Sequence, residues 1–426
     1  MMYLWRNPVV RASVYQAAAV LAVGWLAYTA LRNALDNLAA RGISTGFRFL
    51  VNEAGFVISE TPPIPQQLGW VACAVGAAAL LITAAYVGKR FSRLQPFAPS
   101  KRLSLVLSVA VIAVALAQVE WTRYQPTGSY LDALLTGLSN TISVALLGCV
   151  GATVIGFVMG IFQLSTNWLL RNSARVATEL CRDVPLLVHV MFWYAMILNF
   201  FPPVREYMSV LGLVHICNRG LYLPAITDFK IDQITTLLVT GGAVVALAAA
   251  MFRRTKLSLI LALLASAVLI STASWDFPEL QGFNIVGGAA IRPEFAALLF
   301  GLLAYHSAFI ADIVVSGIKS VPIGQIEAAY SLGLRRLPAL RLVVIPQAMR
   351  VVVPPLSLQY LGLAKNTSIG VAIAFPDLVG VSRTVLYQTG QAIEVMLLVM
   401  VFYLAVSFSI ALATNMFNQT VQVKGW

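Results

Sequence analysis

Residues 327–348 read EAAYSLGLRRLPALRLVVIPQA, a polar and basic segment between two long apolar stretches. Gly333 lies near the middle of its first half, and glycine permits a backbone turn that other residues resist. Pro346 stands near the end of the segment, and proline suits the first turn of a helix. The pattern therefore predicts two short helices joined at Gly333, followed by a longer helix that begins near Pro346. Such a compact pair of short helices can dock into a groove on a soluble partner.

The composition around this segment is that of a membrane protein. Hydrophobic residues make up 59% of the 426 residues and charged residues only 11%, against about 25% charged in a typical soluble domain. Several apolar runs exceed the ~18 residues that indicate a membrane span. The formal net charge of +12 does not indicate nucleic-acid binding, because the basic residues lie in short groups at the ends of apolar runs, where they suit lipid headgroups. We predict an all-α polytopic membrane protein.

The apolar runs predict about ten transmembrane helices. The predicted spans are 14–33, 68–88, 103–120, 135–163, 184–201, 234–252, 257–272, 294–318, 349–373 and 392–416. With this count, roughly two thirds of the 29 lysines and arginines lie on one side of the membrane, which is the bias of cytoplasmic loops. Both termini and residues 327–348 are therefore expected in the cytoplasm.

The residues of common enzymatic sites do not form recognisable motifs. The sequence contains no phosphate-binding G-x-x-x-x-G-K-[ST] motif, so we expect no ATP hydrolysis by such a loop. Its three histidines and four cysteines have no metal-ligand spacing, and no nucleophilic triad is recognisable. We expect a protein without a bound metal or cofactor, and not an enzyme.

Four blocks of sequence together resemble a known family. Residues 327–348 resemble the EAA loop of ABC-importer permeases, in which Glu-Ala-Ala, a glycine four residues further on and an apolar-x-apolar-Pro ending recur at fixed spacing. TGLSNT at 136–141, ELCRDVPLL at 179–187 and KNTSI at 365–369 resemble blocks of the polar-amino-acid class, the histidine- and glutamine-permease-like family.

Three further blocks resemble a narrower group. NRGLYLP at 218–224, PDLV at 376–379 and QTGQAIE at 388–394 are similar to the long-form permease subunits of general L-amino-acid and glutamate/glutamine/aspartate/asparagine importers. The resemblance implies a type I ABC importer permease core at 128–418. Extra N-terminal transmembrane helices and a periplasmic segment at 1–127 precede this core, and a cytoplasmic tail at 419–426 follows it.

The resemblance also implies function, partners and location. It predicts a binding-protein-dependent importer of polar L-amino acids in the bacterial inner membrane, with ATP hydrolysis on a separate subunit. The implied partners are a second similar permease, a cytoplasmic ATPase dimer, a periplasmic amino-acid-binding protein and membrane lipid. The implied ATPase-docking loop consists of Glu327, Ala328, Ala329, Gly333 and Pro346. In this loop, Glu327 is expected to contact basic residues of the ATPase.

Polar residues in two predicted spans are candidates for the translocation path. They are Asn140, Thr141, Lys365, Asn366, Thr367 and Ser368. An ionisable residue such as Lys365 is costly inside a span unless it is paired or reached by water. One reading is therefore that the block at 365–368 lines the path. The other is that Lys365 ties down a helix end while the Ser/Thr pair holds helices together. The sequence leaves both open, and for His306 it favours a packed side chain over a substrate contact.

One departure from the family pattern concerns the helix before the loop. Family members often carry Glu-x-x-Arg there, whereas this chain has Asp312 and Val315. The carboxylate–arginine pair one helical turn apart is therefore lost. We do not assign to Asp312 the gating role that the family pair would imply.

Two other hypotheses compete with an ABC permease. An ion-coupled secondary amino-acid transporter usually shows internal repeats and carboxylates at the membrane midplane, but Glu294 and Asp312 lie near the ends of predicted spans. Uptake that continues in the presence of proton uncouplers, while ATP is maintained, would favour the ABC permease over the secondary transporter. The other hypothesis is a permease-like subunit that forms no pore and only regulates.

Overall fold

The computed structural model describes residues 8–40, 42, 46–59, 64–65, 121–122, 125–229 and 273–421. Within them the α-helices are α1 (Pro8–Ala40), α2 (Tyr130–Gln163), α3 (Trp168–Asp183), α4 (Leu186–Phe200), α5 (Pro293–Lys319), α6 (Ile323–Ser331), α7 (Arg336–Ala339), α8 (Ile345–Asn366), α9 (Leu378–Thr389) and α10 (Ala392–Val421). A π-helical turn, Leu340–Val344, joins α7 to α8. Helices of the 3-10 type lie at Phe47–Val51, Val204–Glu206 and Thr367–Ile373. The predominantly helical character predicted from the composition is confirmed.

Four stretches in the described part of the chain are long and apolar enough to cross a membrane. They are Tyr130–Gln163, Pro293–Lys319, Arg336–Ile373 and Ala392–Asn415. Helices α3 and α4 bend by 104° relative to each other and would supply a fifth if the pair forms one span. The bend lies at Val184, which is extended because it precedes Pro185 and a residue before proline avoids the helical region.

These helices correspond to five of the predicted spans, and the prediction at 14–33 falls within α1. The remaining four predictions lie outside the described residues: 68–88, 103–120, 234–252 and 257–272. The total of ten spans therefore stays a prediction.

Local sequence signals set several helix ends. The Ser129 hydroxyl accepts from the Asp132 N–H at 3.2 Å, and the Asp132 carboxylate accepts from the Ser129 N–H at 3.0 Å. This reciprocal pair is a capping box at the start of α2. Pro293 stands in the first turn of α5, where a missing N–H costs nothing, and Pro346 stands in the first turn of α8, directly after the π-helical turn. Gly390 ends α9 with a left-handed φ of 71°, which glycine adopts without strain.

The main core forms where α5 packs against α2, α4 and α8. Leu298, Leu302 and Ile310 of α5 are 0% exposed. Gly156 of α2 faces this helix so closely that a Cβ there would lie 2.6 Å from Ile310 Cβ and 2.8 Å from the Ser307 carbonyl oxygen. The two backbones approach this closely because glycine lacks a side chain, as is common where membrane helices pack.

A small layer of β-strands lies at the start of α5 and is called the β layer here. Outside this layer, β1 (Ile64–Pro65) pairs with β2 (Trp121–Thr122). The strands of the β layer are β3 (Met208–Val210), β4 (Val214–Cys217), β5 (Gly220–Leu223), β6 (Ala225–Phe229), β7 (Ala273–Asp276), β8 (Glu279–Gln281), β9 (Asn284–Val286) and β10 (Ala289–Ile291). An antiparallel sheet has the order β10-β5-β4-β3, and β6 pairs with β7 and β8 with β9. The all-α prediction missed these strands, because elements of three to five residues leave almost no alternation to read.

The segment at 46–59 packs on the helices near the start of α2. Phe49, Ala54 and Ile58 are buried there against residues of α2, α9 and α10. The Gly46 N–H donates to the Glu394 carboxylate at 2.8 Å. This part of the predicted N-terminal region is therefore built into the helical core.

Candidate functional site

Residues 323–344, called the knob here, form the compact turn that the sequence predicts. Helix α6 ends at Ser331 and Gly333 follows with a left-handed φ of 81°. The Gly333 N–H donates to the Tyr330 carbonyl at 2.9 Å and the Leu334 N–H to the Ala329 carbonyl at 3.1 Å. These two bonds are those of a Schellman motif, which satisfies the last carbonyls of a helix and favours glycine at this position. The predicted turn at Gly333 and the predicted helix start near Pro346 are both confirmed.

The surface of the knob combines exposed apolar side chains with one acidic side chain and three exposed arginines, Arg335, Arg336 and Arg341. Ile323, Leu332 and Leu337 are 73%, 83% and 75% exposed, and Glu327 is exposed between them along the chain. Of the five predicted docking residues, Ala329 is buried and the other four are exposed. Exposed apolar side chains concentrated on a short structured segment indicate a surface that binds another protein.

The buried face of the knob connects it to two long helices. Val321, Val344 and Ala348 are buried together, with Ile318 and Ile326 packed against them. These residues come from the end of α5, from α6, from the π-helical turn and from the start of α8. A displacement of the knob therefore acts directly on α5 and α8.

An ion pair joins α5 to α3. Arg182 Nη1 lies 2.6 Å from Asp312 Oδ2, and Arg182 Nε lies 3.7 Å from Asp183 Oδ1. The sequence indicates that Asp312 has lost its arginine, since Val315 stands one turn further along the same helix. The structure shows that the cation comes instead from the ELCRDVPLL block on α3.

The expected effect of breaking this pair is small and depends on salt. Asp312→Asn should lower the thermal midpoint of the purified protein slightly at low ionic strength and not in 1 M salt, because partly exposed charges are screened. Asp183→Asn is the matched control, since its contact with Arg182 is longer and its side chain is 74% exposed. An equal shift for both variants at low salt would contradict the assigned role of Asp312.

A buried histidine connects α5 to α8. His306 is 2% exposed, with Nδ1 3.1 Å from Gln359 Oε1 and Nε2 3.2 Å from Asn366 Nδ2. An amide oxygen only accepts and an amide nitrogen only donates. The assignment that satisfies both contacts is a neutral ring with its proton on Nδ1. His306 is therefore a packed and hydrogen-bonded residue, as the sequence favours.

His306→Leu is expected to destabilise the protein by about 1–3 kcal/mol, because it leaves the Gln359 and Asn366 side chains without their partner inside the helix interface. Thermal unfolding in detergent measures this. Ser307→Ala is the control, since the Ser307 hydroxyl bonds only to the Ala304 carbonyl of its own helix among the contacts described. The predicted network would be refuted if His306→Leu unfolded at the same temperature as Ser307→Ala.

Asn140 and Thr141 of α2 are buried and hold the chain that leads into α9. Asn140 Nδ2 donates to the Pro376 carbonyl at 2.8 Å. Thr141 Oγ1 accepts from the Leu378 N–H at 3.0 Å and donates to the Gly137 carbonyl at 3.0 Å. Backbone groups at this break between helices are thereby satisfied, as buried polar groups must be.

The block at 365–368 divides into packed and open residues. Thr367 is 0% exposed and donates to a backbone carbonyl of α8 at 2.9 Å, and Asn366 contacts His306. Lys365 is exposed, while Ser368 is partly exposed and donates to the Lys365 carbonyl at 2.9 Å. The buried position of Thr367 agrees with the reading that this block holds helices together. Lys365 and Ser368 are accessible and could line a translocation path.

Sequence reasoning missed the partners of Asp312 and His306. Arg182 and Asp312 both lie in stretches that are compared above with the family pattern, but they are 130 residues apart and no periodicity links them. Gln359 lies on α8, 53 residues after His306, in a stretch without any recognised motif. Only the packing of α5 against α3 and α8 brings these groups together.

The sequence matches a family model and curated relatives. A model described as "Binding-protein-dependent transport system inner membrane component" matches residues 152–423, which include the knob, α3, α5 and α8. The chain is 36% identical over 440 residues to the putative amino-acid ABC transporter permease protein YhdX of Escherichia coli, covering 98% of this chain and 95% of that one.

Two further relatives have printed substrate descriptions. The chain is 39% identical to the general L-amino acid transport system permease protein AapQ of Rhizobium johnstonii, over 69% of this chain and 78% of that one. It is 33% identical to the glutamate/glutamine/aspartate/asparagine transport system permease protein BztB of Rhodobacter capsulatus, over 71% of this chain and 82% of that one.

Proposed function

Since the chain belongs to the family of binding-protein-dependent transport system inner membrane components, we propose that it forms the translocation path of an ABC importer for polar L-amino acids. The substrate class is supported by the printed names of the relatives, which describe permeases for amino acids in general or for glutamate, glutamine, aspartate and asparagine. ATP is hydrolysed on a separate subunit.

The knob carries this proposal. It exposes Leu332, Leu337 and Glu327 at the end of α5 opposite to the β layer, about 40 Å away at 1.5 Å per residue. We assign the knob to the cytoplasm, where each permease would dock on one copy of an ATPase dimer. The β layer then faces the outside of a bacterial inner membrane, where a binding protein would deliver the substrate, and both termini lie in the cytoplasm.

The proposed assembly contains a second, similar permease. ATP binding closes the ATPase dimer and moves the two knobs together, since ATP has a higher affinity for the closed state. The knob is packed on α5 and α8 through Val321, Val344 and Ala348. Its movement therefore rocks these helices as rigid bodies between inward- and outward-facing arrangements.

The six candidate path residues take two roles in this proposal. Lys365 and Ser368, which are accessible, contact the substrate together with Asn366. Asn140, Thr141 and Thr367 keep the broken segment before α9 in place through their backbone hydrogen bonds. An ionisable group such as Lys365 in this position is tolerated because it reaches water in the path.

The test is to purify this chain with its natural partners, identify every co-purifying chain and reconstitute the complex into liposomes. We expect an ATPase and a second permease, and uptake of labelled L-amino acids that requires ATP and a binding protein and survives a proton uncoupler. Transport by this chain alone, driven by an ion gradient, would overturn the proposal in favour of a secondary transporter. An assembled complex that transports equally well without this chain would favour a regulatory subunit.

A further inference from the structure

A cavity of about 610 Å³ lies between the β layer and the start of α5. Its volume falls within the roughly 300–1,000 Å³ of small-molecule sites. Polar and charged side chains enter it from two directions: Arg219, Tyr222 and Asn284 from the β layer, and Arg292 and Glu294 from the start of α5. None of these residues belongs to the knob or to the candidate path.

Two guanidinium groups converge on this cavity. Arg292 and Arg219 both act electrostatically on the Tyr222 hydroxyl, whose pKa is raised mainly by burial while the two positive charges oppose that rise. One Arg219 nitrogen donates to Asn284 Oδ1, which holds its side chain in place. Among the described residues, neither arginine has a carboxylate within 4.0 Å. Their donors are therefore available for an anion, and guanidinium matches a carboxylate with two parallel hydrogen bonds.

The opposite charge in the cavity comes from Glu294. Its side chain is partly buried, and Oε1 accepts a hydrogen bond from the Tyr194 hydroxyl at 3.2 Å. It is the single acidic residue among those that line the cavity. Tyr194 occupies one oxygen of a carboxylate that can accept several hydrogen bonds, so Glu294 retains acceptor capacity for an ammonium group.

We propose that this cavity binds a free α-amino acid, with Arg219 and Arg292 on its carboxylate and Glu294 on its ammonium group. A ligand with only a negative charge would form no favourable contact with Glu294. A zwitterion matches both the two arginines and the glutamate. This inference rests on the proposed function, because it makes the cavity a receiving site at the outer end of α5, before the candidate path. The two arginines then bind the α-carboxylate that every amino acid carries. Selection among amino-acid side chains must come from other residues.

The test uses the purified complex in detergent, without a binding protein, and a mixture of ¹⁴C-labelled L-amino acids as the probe. We expect saturable binding that weakens at least tenfold in Arg219→Gln, Arg292→Gln and Glu294→Gln. Glutamine at 294 keeps an acceptor for Tyr194 and so separates loss of charge from loss of structure. Arg205→Gln is the matched control, since Arg205 belongs to the same end of the molecule, stacks over Phe283 at 4.3 Å and does not line the cavity.

Competition identifies the chemistry of the ligand. Glycine should displace the labelled mixture, and acetate or methylammonium alone should not, because each carries one of the two charges. Displacement by acetate as efficient as by glycine would make the cavity an anion site and overturn the inference. Unchanged binding in all three cavity variants, or no saturable binding by the wild type, would overturn it as well.

The same preparations separate this inference from the proposed function. ATP-dependent uptake by the wild-type complex, with uptake and binding unaffected by the three cavity variants, would reject the cavity and leave the importer standing. Absence of ATP-dependent uptake of every amino acid in the mixture by a fully assembled complex would reject the importer itself.

Discussion

Glu327→Lys is expected to reduce amino-acid uptake to background while the protein still reaches the membrane. Glu327 is an exposed carboxylate of the knob, so its replacement by lysine places a positive charge against the basic residues expected on the ATPase. Loss of a charge pair at an interface costs on the order of 2–5 kcal/mol, which is a loss of roughly 30-fold or more in affinity. Co-purification of the ATPase with this chain measures the loss directly.

A charge control lies at the other end of the molecule. Glu279→Lys makes the same change at an exposed residue of strand β8, far from the knob, and should leave the amount of co-purified ATPase unchanged. Full recovery of the ATPase with Glu327→Lys would show that Glu327 takes no part in docking.

Gly333 offers a backbone test of the same surface. Gly333 has a φ of 81°, whereas Gly324 in α6 has no such restraint, and at either position a Cβ would meet no atom within 4 Å in the part of the chain that the structure describes. Gly333→Val should therefore unwind the end of α6 through backbone strain alone and impair ATPase recovery, since a β-branched residue resists a left-handed φ. Gly324→Ala, which adds a methyl group to the same knob without strain, should be tolerated. Equal recovery for both variants would contradict the role of the turn.

Gly156→Val is expected to have the largest effect on folding. The Cβ alone would lie 2.6 Å from both Ile310 Cβ and Cγ2 and 2.8 Å from the Ser307 carbonyl oxygen, so α2 and α5 must separate. Overfilling a well-packed interface costs about 1–3 kcal/mol and occasionally more. The yield of monodisperse protein in detergent and its thermal midpoint measure the effect, and both should fall. Rotation of the valine side chain does not relieve these contacts, because the Cβ is fixed by its own backbone. One of the contacted atoms belongs to the backbone of α5 and cannot turn aside either.

The matched control for this substitution is Gly24→Val. Gly24 lies in α1, and a Cβ there would meet no atom of the described residues within 4 Å. Its yield and midpoint should equal those of the unmodified protein. If Gly156→Val behaved like Gly24→Val, the close approach of α2 to α5 would be wrong.

Particular residues show where sequence reasoning succeeded. The turn at Gly333 is predictable because glycine permits a backbone turn that other residues resist, and the helix start near Pro346 because proline suits the first turn of a helix. The apolar runs located α2, α4, α5, α8 and α10 because membrane helices of this length are apolar almost throughout. Each of these signals is local, so neighbouring residues suffice to read it.

Other features required the folded chain. The β layer was missed because its short strands are stabilised by pairing between distant segments, such as β10 with β5. Glu294 and the arginines at 219 and 292 cannot be grouped from the sequence, since they stand on different elements and no common motif joins them. The cavity exists because the β layer folds back onto the start of α5.

The sequence by itself determined a helical membrane protein with a turn at Gly333, because hydropathy, glycine and proline act on the nearest residues, and its motif blocks placed it in the permease family. Tertiary structure alone decided which charges meet. It paired Asp312 with Arg182 across two helices, placed His306 between Gln359 and Asn366, and gathered Arg219, Arg292 and Glu294 around one cavity. Electrostatic and hydrogen-bonded contacts depend on distances between side chains, and packing sets those distances for residues far apart in sequence.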